Sequence, residues 1–191
     1  MPSLAVVPAS GKGTRFGGVK LLARVDGEPI LQHVVRCLLD GGLTMVVVVL
    51  PPVPPSTFAP VRLLADPRVR VATNPDPSRG MFSSIQTGLR ALDGDPILVL
   101  PGDMPFVRAE TVRAVLAACE HTGRIVSPRY AGQRGHPVAL PGRFGREIIG
   151  ADANATLSVL LTRYDDERLD VDVADRGILR DVDVAGDLSS S

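Results

Sequence analysis

Residues 4–20 have the sequence LAVVPASGKGTRFGGVK. The apolar run Leu4–Val7 predicts a short buried strand. The residues after it, up to Lys20, form a loop with four glycines, two lysines and one arginine. Glycines let backbone N–H groups approach an anion without obstruction by a Cβ atom, and the basic side chains add positive charge. The loop is therefore predicted to hold a polyphosphate.

Two familiar phosphate-binding motifs do not match this loop. The Walker motif requires four residues between its first glycine and a Gly-Lys-Ser/Thr ending, and the loop lacks that spacing. The dinucleotide fingerprint Gly-x-Gly-x-x-Gly fails because Phe16 stands at its last position. The remaining alternative is a plain strand-to-helix turn. Three basic side chains favour the anion site, since a serine or an aspartate would suffice to cap a helix.

The composition of the 191 residues is that of one globular domain with a sizeable core. Hydrophobic residues make up 45% of the chain and charged residues 22%, which is ordinary for such a domain. Because 21 basic residues balance 21 acidic ones, no overall field favours nucleic acid or an anionic membrane as a partner. Any anion must be bound by a local arrangement, and three histidines leave little material for a zinc site.

Other features of the sequence indicate a cytoplasmic protein. The longest apolar run, Met45–Leu50, is far too short to span a bilayer. The N-terminus has no basic region followed by a long apolar stretch, so no signal peptide is predicted. Cys37 and Cys119 lie in helix-like apolar patterns outside any Cys-x-x-Cys unit, and we interpret both as small buried hydrophobic residues.

Short apolar runs alternate with helical patterns along the first two thirds of the chain. The runs are rich in β-branched residues, which is typical of strands covered on both faces. The predicted strands are Leu4–Val7, Met45–Leu50, Val69–Ala72 and Ile97–Leu100, and the predicted helices are Pro29–Leu39, Pro60–Ala65, Phe82–Leu92 and Ala109–His121. This alternation predicts an α/β fold with a mostly parallel sheet and helices on both faces. The loops after Val7 and Leu100 should share one ligand-binding edge of the sheet.

The pattern changes after Gly123. The predicted elements there are the strands Ile125–Ser127 and Val138–Leu140, the helix Ala155–Arg163, and the short strands Arg168–Val173 and Ile178–Val184. We interpret residues 123–191 as a half-lid that completes the substrate pocket of a single domain spanning residues 1–191.

An aspartate stands directly after the fourth predicted strand, in the segment 100–105, LPGDMP. Its neighbouring prolines and glycine predict a stiff backbone that holds Asp103 at the ligand-binding edge. Mg²⁺ normally binds one or two protein carboxylates together with substrate phosphates. An aspartate that only caps a helix or closes a turn is the alternative. A polyphosphate loop at the same edge favours the metal site.

A third segment, Asn74–Leu89, follows the predicted strand Val69–Ala72 and enters a helix. Ser83 and Ser84 fall in or near the first turn of that helix, where short hydroxyl side chains often act only as caps. They could instead contact the polar edge of a nucleobase, with Gly80 allowing close approach. The position at the ligand-binding edge favours the second interpretation.

Two further segments have candidate side chains. His136 lies in the Gly-Pro turn of Arg134-Gly135-His136-Pro137, where it could face the pocket, although a lone histidine is usually structural. Asp181 and Asp183 would share one face of the predicted strand Ile178–Val184, because side chains alternate with a period of two. Either is a candidate second ligand to Mg²⁺, and a solvated acidic edge is the alternative.

In their order along the chain, these five segments resemble the molybdenum-cofactor nucleotidyltransferase family (the MobA-like NTP transferases), especially its cytidylyltransferase branch. That family has a Gly-rich start ending in lysine, Gly-Met-x-Ser-Ser, Gly-Asp-(Met/Gln)-Pro, Arg-Gly-His-Pro and a late Asp-Ile-Asp. The matching segments are Gly11–Lys20, Asn74–Leu89, Gly102–Pro105, Arg134–Pro137 and Asp181–Leu188.

The resemblance implies a fold and a reaction. The fold is a Rossmann-like three-layer α/β/α arrangement of the nucleotide-diphospho-sugar transferase type, with residues 1–122 on the nucleotide side and 123–191 on the acceptor side. The reaction is the Mg²⁺-dependent transfer of a nucleoside monophosphate from an NTP, with CTP favoured, to a phosphorylated acceptor such as molybdopterin, with release of pyrophosphate. A transient contact with a molybdoenzyme or a cofactor-handling protein is also implied.

The resemblance also implies residue roles. Lys20, Arg15 and Asp103 would be catalytic, Asp103 and Asp181 would bind the metal, and His136 and Asp152 would contact the acceptor. The nucleotide would be bound by Pro8, Ala9, Ser10, Gly11, Gly13, Arg15, Lys20, Asn74, Gly80, Ser83 and Ser84.

The sequence departs from the family pattern in two places. Pro8-Ala9-Ser10-Gly11 stands where the family has Leu-Ala-Ala-Gly. This segment resembles the corresponding one in methylerythritol-phosphate cytidylyltransferases and sugar-phosphate nucleotidyltransferases. Residues 151–156 replace Gly-Asp-x-Gly-Ala-Arg, and only Asp152 is retained. The alternatives are therefore a guanylyltransferase of the same pathway, a sugar- or alditol-phosphate nucleotidyltransferase, and a nucleotide-binding cofactor chaperone without activity.

Overall fold

The computed structural model describes residues 1–11, 20–152 and 155–182. The strands within these ranges are β1 Leu4–Pro8, β2 Arg24–Val25, β3 Glu28–Pro29, β4 Met45–Leu50, β5 Val69–Thr73, β6 Ile97–Val99, β7 Ile125–Tyr130, β8 Gln133–Arg134, β9 Val138–Leu140 and β10 Arg168–Asp172. One eight-stranded sheet has the strand order β10-β7-β9-β6-β1-β4-β5, with β8 paired to β7, and a two-stranded hairpin joins β2 to β3. The helices are α1 Ile30–Asp40, α2 Met81–Ala91, α3 Ala109–Thr122, α4 Phe144–Gly150 and α5 Leu157–Leu161.

Strand β1 lies at the centre of the sheet and pairs in parallel with β4 on one side and β6 on the other. Strand β5 continues the parallel set next to β4, and β10 pairs in parallel with β7. Strand β9 is antiparallel to both β6 and β7. Residues 123–172 therefore extend the same sheet that residues 4–99 begin.

Two apolar layers cover the two faces of the sheet, because successive strand residues point to opposite sides. On β1, Ala5 and Val7 pack with α1 and α3, whereas Leu4 and Val6 pack with α2, α4 and α5. These four side chains of β1 are fully buried. The result is the three-layer α/β/α fold that the alternation of elements predicts.

The two cysteines are confirmed as buried residues of this core. Cys37 lies in α1 and Cys119 in α3, and both are free thiols. Burial raises the pKa of each thiol to about 12, so both remain protonated at neutral pH. No helix in the described ranges combines the length and the apolar character needed to cross a bilayer.

Four predicted elements are clearly wrong in type or extent. The predicted strand Ile125–Ser127 is too short, because β7 continues to Tyr130. Residues 178–182 contain no strand: a 3₁₀ turn covers Arg176–Leu179 and irregular chain follows it. The Pro60–Ala65 helix is a 3₁₀ turn, Arg62–Ala65, in a region where prolines remove helix donors. The predicted helix Ala155–Arg163 begins only at Leu157, after the cap Thr156, and changes to 3₁₀ at Thr162.

Close contact between α2 and the sheet depends on Gly88. A Cβ atom at this position would lie 2.6 Å from Val6 Cγ1 and 3.1 Å from Val49 Cγ2. Gly88→Ala should therefore lower the free energy of unfolding by about 1–3 kcal/mol, although alanine has the higher helix propensity. Urea unfolding measures the change.

Gly150→Ala is the matched control, because no atom of the described part of the chain lies within 4 Å of a Cβ built on this α4 glycine. It should leave stability unchanged or raise it slightly. Equal effects of the two substitutions would show that packing against β1 does not require the glycine.

Candidate functional site

The carboxyl ends of β1 and β6 lie side by side and bring two predicted segments together. The Gly102 N–H donates to the Pro8 carbonyl at 3.0 Å, and the Ala9 N–H donates to the Val49 carbonyl at 2.9 Å. The turn after β6 is thus tied directly to the residues that follow β1. Pro8, Ala9 and Ser10 are buried, and Gly11 is exposed at the edge of the sheet.

An ion pair joins the end of the N-terminal loop to the turn after β6. Lys20 Nζ lies 2.9 Å from Asp103 Oδ2, and the exposed fractions of the two side chains are 13% and 30%. The structure therefore brings together a cation and a carboxylate that are 83 residues apart in sequence. Gly13 and Arg15, two further predicted phosphate ligands, lie outside the described residues.

A buried polar network connects the ends of β1 and β5 to the first turn of α2. Asn74 Nδ2 donates to Ser83 Oγ at 2.8 Å and to Ser84 Oγ at 3.0 Å, while Ser84 Oγ lies 2.5 Å from Ser10 Oγ. Asn74 Oδ1 accepts from the Asp76 N–H at 3.0 Å. All four network residues, Ser10, Asn74, Ser83 and Ser84, are at most 5% exposed.

This network shows how the predicted nucleotide side is built. Its hydroxyl and amide groups bind one another, so they hold the ends of β1 and β5 against the first turn of α2. Contact of Ser83 and Ser84 with a nucleobase stays a prediction. The alternative that they only cap α2 is wrong, since the N-cap is Gly80, which has no side chain, and Ser83 Oγ donates back to the Gly80 carbonyl at 2.7 Å.

Gly80 starts α2 with a backbone that other residues avoid. Its φ of 82° and ψ of −177° lie in a region that is essentially restricted to glycine. Among residues 1–11, 20–152 and 155–182, no atom lies within 4 Å of a Cβ built there, so these residues leave the space beside it open. This agrees with the predicted close approach of a ligand to Gly80, which stays a prediction.

His136 lies near Asp103, with its backbone N–H donating to the Ile178 carbonyl at 3.0 Å. Burial lowers the pKa of His136, opposed by a hydrogen bond with the Val99 backbone and by the negative charge of Asp103. Its Nδ1 is buried and has no hydrogen-bond partner among the described residues. Contact of this ring with an acceptor stays a prediction.

Asp152 follows α4 in a loop that Gln86 ties to α2. Gln86 Nε2 donates to the Ile148 carbonyl at 2.9 Å and to the Ala151 carbonyl at 3.0 Å, and Gln86 is 1% exposed. Gln86 was not identified from the sequence as a residue that positions this loop. A glutamine on the buried side of an amphipathic helix does indicate a buried hydrogen bond, and this signal could have identified it. The loop thus has a fixed attachment to the helix that begins at Gly80.

Asp181 lies next to the turn that contains Asp103, because the N–H of Val182 donates to the Asp103 carbonyl at 2.9 Å. The sequence analysis placed Asp181 in a predicted strand, Ile178–Val184. That prediction is wrong, because Asp181 lies in irregular chain. Asp183 lies outside the described residues.

The available donors fit a magnesium ion bound together with a nucleotide. No group of three or more His, Cys, Asp or Glu side chains within residues 1–11, 20–152 and 155–182 is arranged to hold a metal ion. Mg²⁺ needs only one or two carboxylates when phosphates supply further oxygens. Asp103, with Asp181 beside its turn, offers that set of hard oxygen ligands.

Comparison with known proteins identifies relatives of this chain. A family model described as "MobA-like NTP transferase domain" matches residues 5–168. The bifunctional protein GlmU of Anaeromyxobacter sp. (strain K) is 34% identical over 131 residues, which cover 66% of this chain and 27% of that relative. The chain thus matches about a quarter of this relative.

Two other similar proteins are matched over a larger share of their own length. The probable molybdenum cofactor guanylyltransferase of Methanothermobacter thermautotrophicus is 34% identical over 110 residues, 58% of this chain and 54% of that protein. The crystal structure of Rv0371c from Mycobacterium tuberculosis H37Rv superposes with a TM-score of 0.77 at 23% identity, covering 98% of this chain and 95% of that one. This superposition confirms the predicted fold.

The buried network should depend on Asn74, which provides two donors and one acceptor to it. Asn74→Ala leaves buried hydroxyl groups and the Asp76 N–H without this partner, so it should lower the free energy of unfolding by about 1–3 kcal/mol. Chemical unfolding measures the loss. Thr73→Ala, at the exposed neighbouring position, should change stability by less than about 0.5 kcal/mol. A neutral Asn74→Ala variant would show that the network does not stabilise the fold.

Proposed function

The chain belongs to the MobA-like NTP transferase family, and from this premise we propose that it transfers a nucleoside monophosphate from CTP to the phosphate of molybdopterin, with release of pyrophosphate. Family membership supports nucleotidyl transfer in general. The choice of CTP and of molybdopterin rests on the five sequence segments that resemble the cytidylyltransferase branch.

The ion pair between Lys20 and Asp103 is the observation that supports this proposal most directly. A polyphosphate site needs positive charge, and a magnesium site needs carboxylate oxygen. Both groups meet at 2.9 Å at the edge of the sheet where β1 and β6 end. A protein that only bound a nucleotide would have no need of this carboxylate beside the phosphates, which argues against the chaperone alternative.

The proposed reaction requires positioning and charge neutralisation more than proton transfer. An oxygen of the acceptor phosphate attacks the α-phosphorus of the NTP, a new P–O bond forms, and the bond to the β-phosphate breaks as pyrophosphate leaves. The attacking oxygen is already anionic, so no strong base is needed. Lys20, together with Arg15, stabilises the negative charge that develops at the α-phosphate. Asp103 and Asp181 would hold Mg²⁺, which supplies further charge neutralisation when bound.

Selection of the base falls to the segment 8–11 and to the start of α2. The side chains of Ser10 and Ser84 are bonded to each other, and the Pro8 carbonyl and the Ala9 N–H are bonded to Gly102 and Val49. The base would therefore be contacted by the other backbone groups of these two segments. A guanylyltransferase is the second candidate, since one relative is named a probable molybdenum cofactor guanylyltransferase.

His136 and Asp152 are the proposed acceptor contacts. The segment around Asp152 lacks the two glycines and the arginine of the cofactor branch. A sugar or alditol phosphate is therefore the alternative acceptor, and it would react through the same phosphate oxygen. A molybdoenzyme or a cofactor-handling protein is the proposed recipient of the product.

Lys20→Ala and Asp103→Asn should each lower turnover by about 100-fold or more. The first removes a positive charge beside the reacting phosphate, and the second removes a carboxylate that would hold the charge-neutralising Mg²⁺. Affinity for the NTP should change by less than about fivefold. Pyrophosphate release and equilibrium binding of a non-hydrolysable CTP analogue measure the two quantities.

Arg113→Ala is a matched control that also breaks an ion pair, Arg113 Nη2 to Glu110 Oε1 at 2.8 Å, on the exposed surface of α3. It should leave turnover unchanged. Near-normal turnover in both site variants would contradict the proposed roles of Lys20 and Asp103.

A panel of four nucleotides should identify the preferred base. With Mg²⁺ and molybdopterin, pyrophosphate release should be fastest with CTP, and CTP should give the largest thermal shift among CTP, GTP, ATP and UTP. Fastest release with GTP would establish the guanylyltransferase alternative. Pyrophosphate release only with a sugar or alditol phosphate would show that this compound, and not molybdopterin, is the acceptor. Nucleotide binding without pyrophosphate release from any combination of nucleotide and acceptor would favour the chaperone alternative.

A further inference from the structure

A short segment near the end of the described chain crosses the loop that follows β6. We call residues 175–182 the C-terminal strap. It begins with Asp175 at the start of α3, continues through the 3₁₀ turn Arg176–Leu179, and ends with Val182 beside Asp103. The strap therefore spans the whole distance between a helix end and the proposed metal site.

A buried carboxylate anchors the first end of the strap. Asp175 is 3% exposed. Its Oδ2 accepts from the Arg108 N–H at 2.9 Å and from Thr111 Oγ1 at 2.7 Å, and its Oδ1 accepts from the Gly177 N–H at 2.9 Å. A buried charge is tolerated only when such hydrogen bonds replace its hydration.

The same carboxylate caps α3 from a distance of 64 residues along the chain. Arg108, the N-cap residue of α3, has no side-chain cap of its own. Asp175 supplies the negative charge that the positive N-terminal end of a helix favours. The start of α3 and the start of the strap are thus fixed by one group.

The middle and the far end of the strap pack against the loop 102–108. A Cβ atom on Gly177 would collide with the Phe106 carbonyl, so the turn lies directly on this backbone. The Arg180 guanidinium lies 4.1 Å from the centroid of the Phe106 ring, within the range of a cation–π contact. The Val182 N–H then bonds to the Asp103 carbonyl at 2.9 Å.

From this chain of contacts we propose that Asp175 is a positioning residue for the metal site: it holds the strap so that Asp181 lies beside Asp103. The inference rests on the proposed function and deepens it. Asp175 itself touches neither substrate nor metal. Its effect reaches the site through six residues of backbone that are bonded to the Asp103 turn at one end and to α3 at the other.

Asp175 makes more hydrogen bonds than a cap of α3 alone would require. A carboxylate that served only α3 would need bonds to Arg108 and Thr111, whereas Asp175 also binds Gly177 in the turn of the strap. Loss of a mere cap lowers stability but leaves metal affinity unchanged. Loss of a positioning residue lowers metal affinity through Asp181, and this difference can be measured.

The test is a double-mutant cycle between Asp175→Asn and Asp181→Asn. The readout is Mn²⁺ affinity in the presence of a non-hydrolysable CTP analogue, measured on the full chain at a temperature where thermal unfolding shows each variant folded. Asp175→Asn should bind Mn²⁺ about tenfold more weakly, the size typical of groups that orient a metal ligand. Asp181→Asn removes the proposed ligand itself and should weaken Mn²⁺ binding at least as much. The double variant should be no weaker than Asp181→Asn within about twofold, because both changes remove one interaction.

Two further variants keep the test decisive. Thr111→Val removes only one bond to Asp175 and should give a smaller loss of Mn²⁺ affinity, even if Asp175→Asn fails to fold. Asp95→Asn is the matched control, because Asp95 Oδ1 also accepts a backbone N–H, from Gly142 at 2.8 Å, and Asp95 is not part of the proposed site. It should leave Mn²⁺ affinity unchanged.

Several results would overturn the inference. Unchanged Mn²⁺ affinity in folded Asp175→Asn would do so, and so would multiplicative losses in the double variant. Normal Mn²⁺ affinity in Asp181→Asn would also overturn the inference. The proposed nucleotidyl transfer would still hold in that case if the unmodified protein released pyrophosphate. Absence of pyrophosphate release with every nucleotide and acceptor would instead contradict the proposed function.

Discussion

The parallel pairing of β1 with both β4 and β6 is the constraint on which the site depends. Parallel neighbours end at the same edge of the sheet, so the chain leaves β1 and β6 side by side. The hydrogen bond from the Gly102 N–H to the Pro8 carbonyl continues this pairing beyond the strands. Lys20 and Asp103 meet because of this backbone geometry, and their ion pair follows from the sheet instead of creating it.

Buried polar groups then stiffen the edge from both sides. On one side, Asn74 bonds the start of α2 to the end of β5, and Ser84 bonds it to Ser10 after β1. On the other side, Asp175 bonds the C-terminal strap to α3. Such groups are costly to bury without partners, so the geometry that satisfies all of them is strongly preferred. Rigid walls of this kind suit a reaction whose catalysis is mainly positioning.

Local patterns predicted the sheet well and the tertiary contacts only in part. Met45–Leu50 and Val138–Leu140 were predicted with the bounds that the structure has, because runs of buried apolar residues leave little choice. The alternating aspartates of Ile178–Val184 led to the wrong prediction of a strand. Residues 176–179 form a 3₁₀ turn instead, in which the Asp175 carboxylate accepts from the Gly177 N–H. Pairs such as Ser10 with Ser84 have no local signature, because 74 residues separate them.

The two halves of the proposed reaction place different demands on the chain. The proposed nucleotide side lies on strand ends and on the first turn of α2, where hydrogen bonds fix Pro8, Ser10 and Ser84. The proposed acceptor contacts lie on turns, with His136 ahead of β9 and Asp152 after α4. In-line transfer asks of the acceptor only one phosphate oxygen held opposite the leaving group. In the proposed reaction, changes around Asp152 would alter which molecule supplies that oxygen, while the pairing of β1 with β6 would keep Lys20 beside Asp103.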